Sequence, residues 1–425
     1  MNQDHQSKSL PAELACLLEE YDTYQKQKLN LNMTRGRPAE AQLDMVQKDM
    51  MAALRRPLTK SRNGTDCRNY GGLEGLEELK EIFGEMCETA PENVLVIGNA
   101  SLSLMYEVIA NAFLHALPHA EAPWSERETV KFLCPVPGYD RHFAVTEHLG
   151  VEMINVPMTE DGPDMDLVES LCAADESIKG IWCVPKYSNP DGYVYSEETC
   201  RRLADMKAAP DFIIMWDNAY CVHHLYDDPA TRRHLPDMLA LCAEAGNPDR
   251  VFEFASFSKV TYAGSGIAAL IANEQNRKWF LNTYQFQSIG PDKMQQLYHA
   301  AFFEEAGGVA AVMKRHADIL RPKFDCALEI LERELGDTDY ASWNKPLGGY
   351  FISLNLQPGM AKKVVQLCKD CGVVLTGAGA TFPYKKDPQD SNIRIAPSCP
   401  TPEELDTAIR ILCLCVKIAA LQASA

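Results

Sequence analysis

Apolar and polar positions divide the chain into short β-branched or aromatic runs separated by segments of helical periodicity. Seven runs stand out: Asn93–Ile97, Val130–Cys134, Val151–Val156, Ile178–Val184, Asp211–Trp216, Arg250–Ala255 and Ile267–Ala272. Most are apolar throughout, as strands covered on both faces must be. Between them, segments such as Leu102–Leu117 place Leu104, Met105, Val108, Ile109, Ala112 and Phe113 at helical spacing, with Asn99 positioned to cap the helix. Strands alternating with helices predict an α/β fold with a mostly parallel seven-stranded sheet flanked by helices.

After about Ala310 the pattern changes to a long helix (Val312–Leu335), isolated strands (Tyr350–Leu356, Val373–Thr376, Ile393–Ala396) and a closing helix (Thr401–Leu421). This predicts a second, smaller α+β unit, completed by the N-terminal arm. The expected division is 1–60 for the arm and part of the small unit, 61–310 for the large one and 311–425 for the rest of the small one. A length of 425 residues agrees, because it exceeds what one core usually serves.

Composition narrows the function. A net charge of −18 leaves no basic stripe for nucleic acid or anionic lipid, so neither is an expected partner. The apolar stretch Ile411–Leu421 is interrupted by Lys417 and is too short to span a bilayer; it reads as a helix packed on the small unit. Residues Met1–Glu20 mix Asp4, Lys8 and Glu13 and carry no signal-peptide pattern. Fifteen irregularly spaced cysteines include one Cys-x-x-Cys pair, Cys368 and Cys371, without a second pair to complete a zinc site. A reducing, cytoplasmic setting, mostly buried thiols and no metal are expected.

The candidate chemistry lies just after the apolar runs, where an open α/β sheet places ligands. Four motifs follow four of the runs directly: Gly98-Asn99-Ala100-Ser101, Ser188-Asn189-Pro190-Asp191-Gly192, Asp217-Asn218-Ala219-Tyr220 and Ser256-Phe257-Ser258-Lys259. A fifth, Pro137-Gly138-Tyr139-Asp140-Arg141-His142, follows the second run after a short turn. Lysine can gain free-base character through desolvation and nearby cations, as a nucleophilic amine requires. Asn189 also fits an ordinary Asn-Pro-Asp-Gly turn.

These motifs resemble the class I aminotransferases of pyridoxal 5′-phosphate (PLP) fold type I, over most of the chain from Gly36 to Arg394. The run Ser256–Gly266 is similar to MocR-like and divergent bacterial aspartate aminotransferases; a regulator's DNA-binding extension is not expected. The resemblance implies Lys259 as the Schiff-base lysine and Asp217 as the partner of the cofactor's ring nitrogen. It implies Tyr220 and Asn189 as donors to the ring phenolate, Tyr139 as the stacking aromatic and His142 as the support behind Asp217. Tyr70, in Tyr70-Gly71-Gly72-Leu73-Glu74-Gly75, would reach the phosphate of a neighbouring subunit, which implies a homodimer. Arg394 would bind the substrate α-carboxylate. Arg35-Gly36-Arg37 matches the arm over the substrate, with Gly36 allowing close backbone approach.

The chain departs from this family's pattern where an arginine usually neutralises the PLP phosphate, seven or eight residues after the lysine. Gly266 and Ile267 stand there. Amides at Asn99, Ala100 and Ser101, hydroxyls of Ser256 and Ser258, and the cation of Lys293 are the expected substitutes, although Lys293 equally suits an exposed helix start. The implied activity is transfer of an amino group from an amino acid, with aspartate or glutamate preferred, to a 2-oxo acid. Arg37, or less favourably Arg35, would hold a distal carboxylate; both also fit a solvated mobile loop. A β-lyase on the same fold is the alternative within PLP chemistry. A nucleotide-binding dehydrogenase is disfavoured, because Gly98-Asn99-Ala100-Ser101 does not supply the Gly-x-Gly-x-x-Gly turn.

Overall fold

A computed structural model describes residues 3–424. The chain enters through a helix (Gln3–Lys26), a two-residue strand β1 (Leu31–Asn32) and a helix Glu40–Leu54. It then builds a sheet from β2 (Val94–Val96), β3 (Lys131–Val136), β4 (Glu152–Thr159), β5 (Gly162–Pro163), β6 (Ile178–Cys183), β7 (Ile213–Asp217), β8 (Val251–Ser256) and β9 (Ala268–Ile271). The spatial order is β2-β9-β8-β7-β6-β3-β4-β5. Pairs from β4 through β3, β6 and β7 to β8 are parallel, whereas β9 runs against both β8 and β2. Direction reverses twice across β9, so β2 points the same way as β8 and their carboxyl ends share one edge.

All seven expected runs become strands, with ends moved by at most three residues. The eighth strand, β5, was not expected. It is a two-residue return that pairs antiparallel with Met158 and Thr159, too short to leave an alternating pattern. Successive residues of the central strands face opposite layers. Ile214 and Trp216 enter one hydrophobic cluster, and Ile213 and Met215 the other. The helix Ser101–Leu114 lays Leu104, Met105, Val108 and Ile109 on the second cluster. Asn99 does not cap that helix: Ala100 stands at the cap without a side-chain bond, and the Asn99 amide donates to the Gly264 carbonyl at 3.0 Å.

A second sheet, in the order β10-β11-β13, contains β10 (Ala341–Trp343), β11 (Ile352–Leu356) and β13 (Asn392–Ile395). The short β12 (Val373–Val374) pairs in parallel with β1, joining the N-terminal segment to this unit. Tyr21, Leu31 and Met33 share its core with the closing helix, Pro402–Ser424. The long helix Val309–Leu335 serves both units: Val312 and Met313 pack under the large sheet, and Leu320, Phe324 and Leu331 in the smaller core. Twelve of the fifteen cysteines are buried and all are free. Among the described residues no helix is long and apolar enough to cross a membrane, and no acidic, histidine or cysteine cluster could hold a metal ion.

Candidate active site

The carboxyl edge of the large sheet delivers several candidates directly. Asp217 is the last residue of β7, with Tyr220 three residues on. Ser256 ends β8, and the turn after it carries Ser258 and Lys259. Beyond β3, the helix Asp140–His148 follows Tyr139 and puts His142, 1% exposed, on its first turn.

A cavity of about 610 Å³ opens above this edge, walled by Lys259, Ser258, Tyr139, Asn189, Tyr220 and Arg394, with Thr34–Pro38 of the arm over it. Lys259 is half-buried, and the surrounding protein desolvates its amine and lowers its pKa, an effect the negative charge of Asp217 opposes. Its Nζ lies 4.8 Å from the centre of the Tyr220 ring. Burial pushes the Tyr220 phenol well above its ordinary range.

Asp217 is buried below the cavity wall. Its Oδ2 lies 2.8 Å from His142 Nε2, while Oδ1 has no partner. The His142 ring is stacked on Trp182 at 4.1 Å and 6°, and Trp182 Nε1 donates to Thr146 Oγ1, which donates to the His142 carbonyl. The histidine is thereby fixed in orientation. A buried carboxylate oxygen without a partner calls for a donor from outside the chain. A protonated pyridine nitrogen would satisfy it, and the lysine amine in the same cavity suits a cofactor aldehyde, so these residues fit PLP.

Arg394, on β13 and 6% exposed, is already engaged on one side. Nη1 donates to Asp140 Oδ1 at 2.9 Å and to Asn189 Oδ1 at 3.3 Å, Nη2 meets Thr376 Oγ1 at 3.4 Å, and Nε is buried without a partner. The guanidinium lies over the Phe351 ring at 4.7 Å. Nε and Nη2 remain to take a planar carboxylate. In the arm, Arg37 Nε donates to Cys399 Sγ at 3.2 Å, and the Arg37 carbonyl accepts from Ser398 Oγ at 2.9 Å. A Cβ at Gly36 would lie 2.5 Å from the Phe351 ring, so the close backbone approach that glycine allows is made to the protein's own aromatic layer.

Next to the lysine turn, the helix Ser101–Leu114 begins with no side-chain cap, leaving amides of its first turn for an anion. Ser256 Oγ donates to Ser258 Oγ at 3.1 Å. The missing arginine has a steric cause, since a Cβ at Gly266 would stand 2.5 Å from the Tyr262 carbonyl oxygen, and Ile267 is buried. The Lys293 cation is engaged by backbone carbonyls within this chain. It is 3% exposed, and its Nζ donates to the carbonyls of Asn69 at 2.8 Å and Gly71 at 2.5 Å, away from the cavity lining. Those bonds brace the loop that carries Tyr70, which is 82% exposed and also absent from the lining.

Sequence reasoning missed Asp140, Thr376 and Phe351 as the setting of Arg394, and Arg141 on the cavity wall. Asp140 and Arg141 lay inside the recognised Pro137–His142 motif. Thr376 and Phe351 carried no signal, because contacts across two sheets leave none in the local pattern.

The profile of the aspartate amino-transferase family matches residues 5–425. The chain belongs to this family. An aspartate aminotransferase of Corynebacterium glutamicum is 44% identical over 401 residues, covering 94% of this chain and 92% of that one. A Mycolicibacterium smegmatis protein classed with the aminotransferases is 48% identical over 410 residues, covering 95% and 94%. The solved structure of an aspartate transaminase from Corynebacterium glutamicum superposes with a TM-score of 0.95 at 42% identity, covering 100% of this chain and 98% of that one. The chain is an aminotransferase, acting on amino acids and 2-oxo acids, of a PLP-dependent family and of PLP fold type I. Strands β2–β9 of this aminotransferase, with their carboxyl edge, therefore form the large sheet of that fold.

Proposed function

We propose that this aminotransferase uses PLP held by Lys259 and takes aspartate or glutamate as amino donor and a 2-oxo acid as acceptor. The observation that carries the reading is a desolvated lysine amine on the cavity wall with, beneath that wall and close enough to oppose the desolvation by its charge, a buried carboxylate whose Oδ1 lacks a partner. PLP, when bound, supplies the electron sink for the bonds at the amino acid's Cα.

The chain's own residues supply the rest. Asp217 keeps a proton on the ring nitrogen, and His142 holds the other Asp217 oxygen in place. Asn189 spends its Oδ1 on Arg394, which leaves its amide donor, with the Tyr220 hydroxyl, for the ring's phenolate oxygen. Tyr139 covers a ring face. Amides of Asn99, Ala100 and Ser101 and hydroxyls of Ser256 and Ser258 hold the phosphate. With the cofactor bound, the Lys259 amine would hold it and, once free, would be the base that carries the proton at the substrate Cα. Arg394 takes the α-carboxylate through Nε and Nη2, and Arg37, in preference to Arg35, takes the distal carboxylate.

Tyr70 belongs in this reading to the phosphate site of a second copy. The segment packed on the Tyr70 loop supports such a face: Ile289 is 63% exposed, and Gly290 packs directly on Gly71. The two sheets support the divisions 1–60, 61–310 and 311–425, although Val46, Met50 and Ala53 of the helix Glu40–Leu54, and Val312 and Met313, pack in the large core. The MocR-like subgroup rests on the Ser256–Gly266 run. The free, mostly buried cysteines support a cytoplasmic setting.

The test is a spectral titration of the PLP-loaded protein with single amino acids, followed by product identification. Spectral change with aspartate and glutamate, with oxaloacetate and 2-oxoglutarate as products, is the expected result. Ammonia and pyruvate as products, or a response confined to apolar amino acids, would overturn the reading.

A further inference from the structure

The turn that carries Lys259 is held from beneath by histidines. Val260 and Thr261 amides both donate to the Phe257 carbonyl, at 2.9 and 2.8 Å, which leaves the Val260 carbonyl facing inward. His316 Nε2, on the helix Val309–Leu335, lies 2.9 Å from that carbonyl oxygen. A carbonyl only accepts, so Nε2 carries the hydrogen and Nδ1 of the neutral ring is an acceptor. Gln42 Nε2 stands 2.8 Å from Nδ1 and donates to it. Beside this pair, Thr261 Oγ1 lies 2.9 Å from His299 Nε2, whose Nδ1 faces the Gln295 carbonyl at 2.9 Å.

Gln42 ties the other end of the chain of bonds to the arm. Its Oε1 accepts the Ala39 amide at 2.9 Å, capping the helix Glu40–Leu54 directly after Arg35–Pro38. Its second donor reaches the Tyr350 hydroxyl at 3.2 Å. Tyr350 and Phe351 form the layer on which Gly36 lies, and Phe351 supports Arg394. Gln42 and His316 are 0% and 1% exposed, so a broken link would leave polar atoms stranded without water. Gln42 and His316 do not line the cavity.

We infer that Gln42 and His316 are positioning residues that couple the arm over the substrate to the turn carrying Lys259, so that one buried bond chain sets both. This rests on the reading of Lys259 as the cofactor lysine. A capping residue alone would affect folding stability. A coupling residue also changes the lysine and the arm, although it touches neither substrate nor cofactor.

The test uses PLP-loaded wild type, Gln42→Met, His316→Gln and His316→Leu. Wild type without lysine-bound PLP would refute the functional reading itself, before any variant is compared. Given wild type in that state, Gln42→Met should lower kcat about tenfold, raise KM for aspartate, and move the pH midpoint of the visible cofactor band. His316→Gln keeps a donor for Val260 and an acceptor for Gln42, and should stay within about threefold of wild type, whereas His316→Leu should match or exceed the Gln42→Met loss. If His316→Leu does not fold, Gln42→Met decides, because it leaves the His316 bond to Val260 in place. A Gln42→Met protein that changes only in thermal stability, with kcat, KM and the midpoint of wild type, overturns the inference. So does His316→Gln performing no better than a folded His316→Leu.

Discussion

Replacing Gly36 with alanine adds one methyl group at the point where the arm lies on the aromatic layer. The new Cβ would stand 2.5 and 2.8 Å from Phe351 Cζ and Cε1, and 2.9 Å from Tyr350 Cβ. Carbon atoms normally approach to about 3.5–4.0 Å, so the arm or the ring must move by about 1 Å. Tyr350 is fully buried and Phe351 nearly so, which leaves little slack beneath. Overpacking of this kind costs about 1–3 kcal/mol. Arg35 and Arg37 are exposed, so the arm is the part that yields, and any ring movement also shifts the Arg394 guanidinium 4.7 Å away. If that cost falls on the closed, substrate-bound state, kcat/KM drops roughly five- to a hundredfold. The assay is kcat/KM for aspartate and alanine in wild type, Gly36→Ala, Phe351→Leu and the double variant. Both substrates should suffer, because both use Arg394, and Gly36→Ala should cost less in the Phe351→Leu background, where the smaller side chain makes room. Activity of Gly36→Ala within twofold of wild type on both substrates would refute the argument.

Losing the contact of Arg37 with a distal carboxylate should cost about 1.5–3 kcal/mol, roughly ten- to a hundredfold in kcat/KM for aspartate, with alanine much less affected; Arg35→Ala should do less, and equal losses for both substrates would leave the arm a cover only. Mixed Tyr70→Phe and Lys259→Ala subunits should regain activity above either parent, since one site of each heterodimer escapes both lesions; no gain after verified subunit exchange would count against a shared site. Burial raises the Glu253 carboxyl from 4.5 to about 8, with Asn218 Nδ2 at 2.8 Å opposing that rise. The native state therefore keeps a proton that the unfolded chain releases near pH 4.5, and stability falls as pH climbs between those values. Glu253→Gln should accordingly raise the melting temperature more at pH 8 than at pH 5, and an equal shift at both would remove this role for the carboxyl.

The strands were legible because each central one is covered on both faces and must be apolar, as in Ile213–Trp216, where alternate residues serve two clusters. The short strands Gly162–Pro163 and Ala341–Trp343 exist through their partners and leave no periodic trace. The candidate lysine, aspartate and histidine were visible because they sit beside strand ends, where local sequence and sheet geometry coincide. The partners of Lys293 were not legible, because its cation meets two carbonyls more than two hundred residues away in sequence. Gly36 was recognised for its lack of a side chain, but the object it approaches, Phe351, could only be seen in three dimensions. The same holds for Gln42 and His316, a glutamine and a histidine on helices that bear no motif.

The proposed role of Lys259 is to hold PLP and to carry the proton in amino transfer between a dicarboxylic amino acid and a 2-oxo acid. It is tested most directly by reducing the PLP-loaded protein with borohydride, mapping the modified peptide by mass spectrometry, and assaying aspartate with 2-oxoglutarate in wild type and Lys259→Ala. One phosphopyridoxyl adduct, on Lys259, is expected, with loss of oxaloacetate formation by at least about a thousandfold in the variant. An adduct on another lysine, or a Lys259→Ala protein that still transaminates near the wild-type rate, would contradict it.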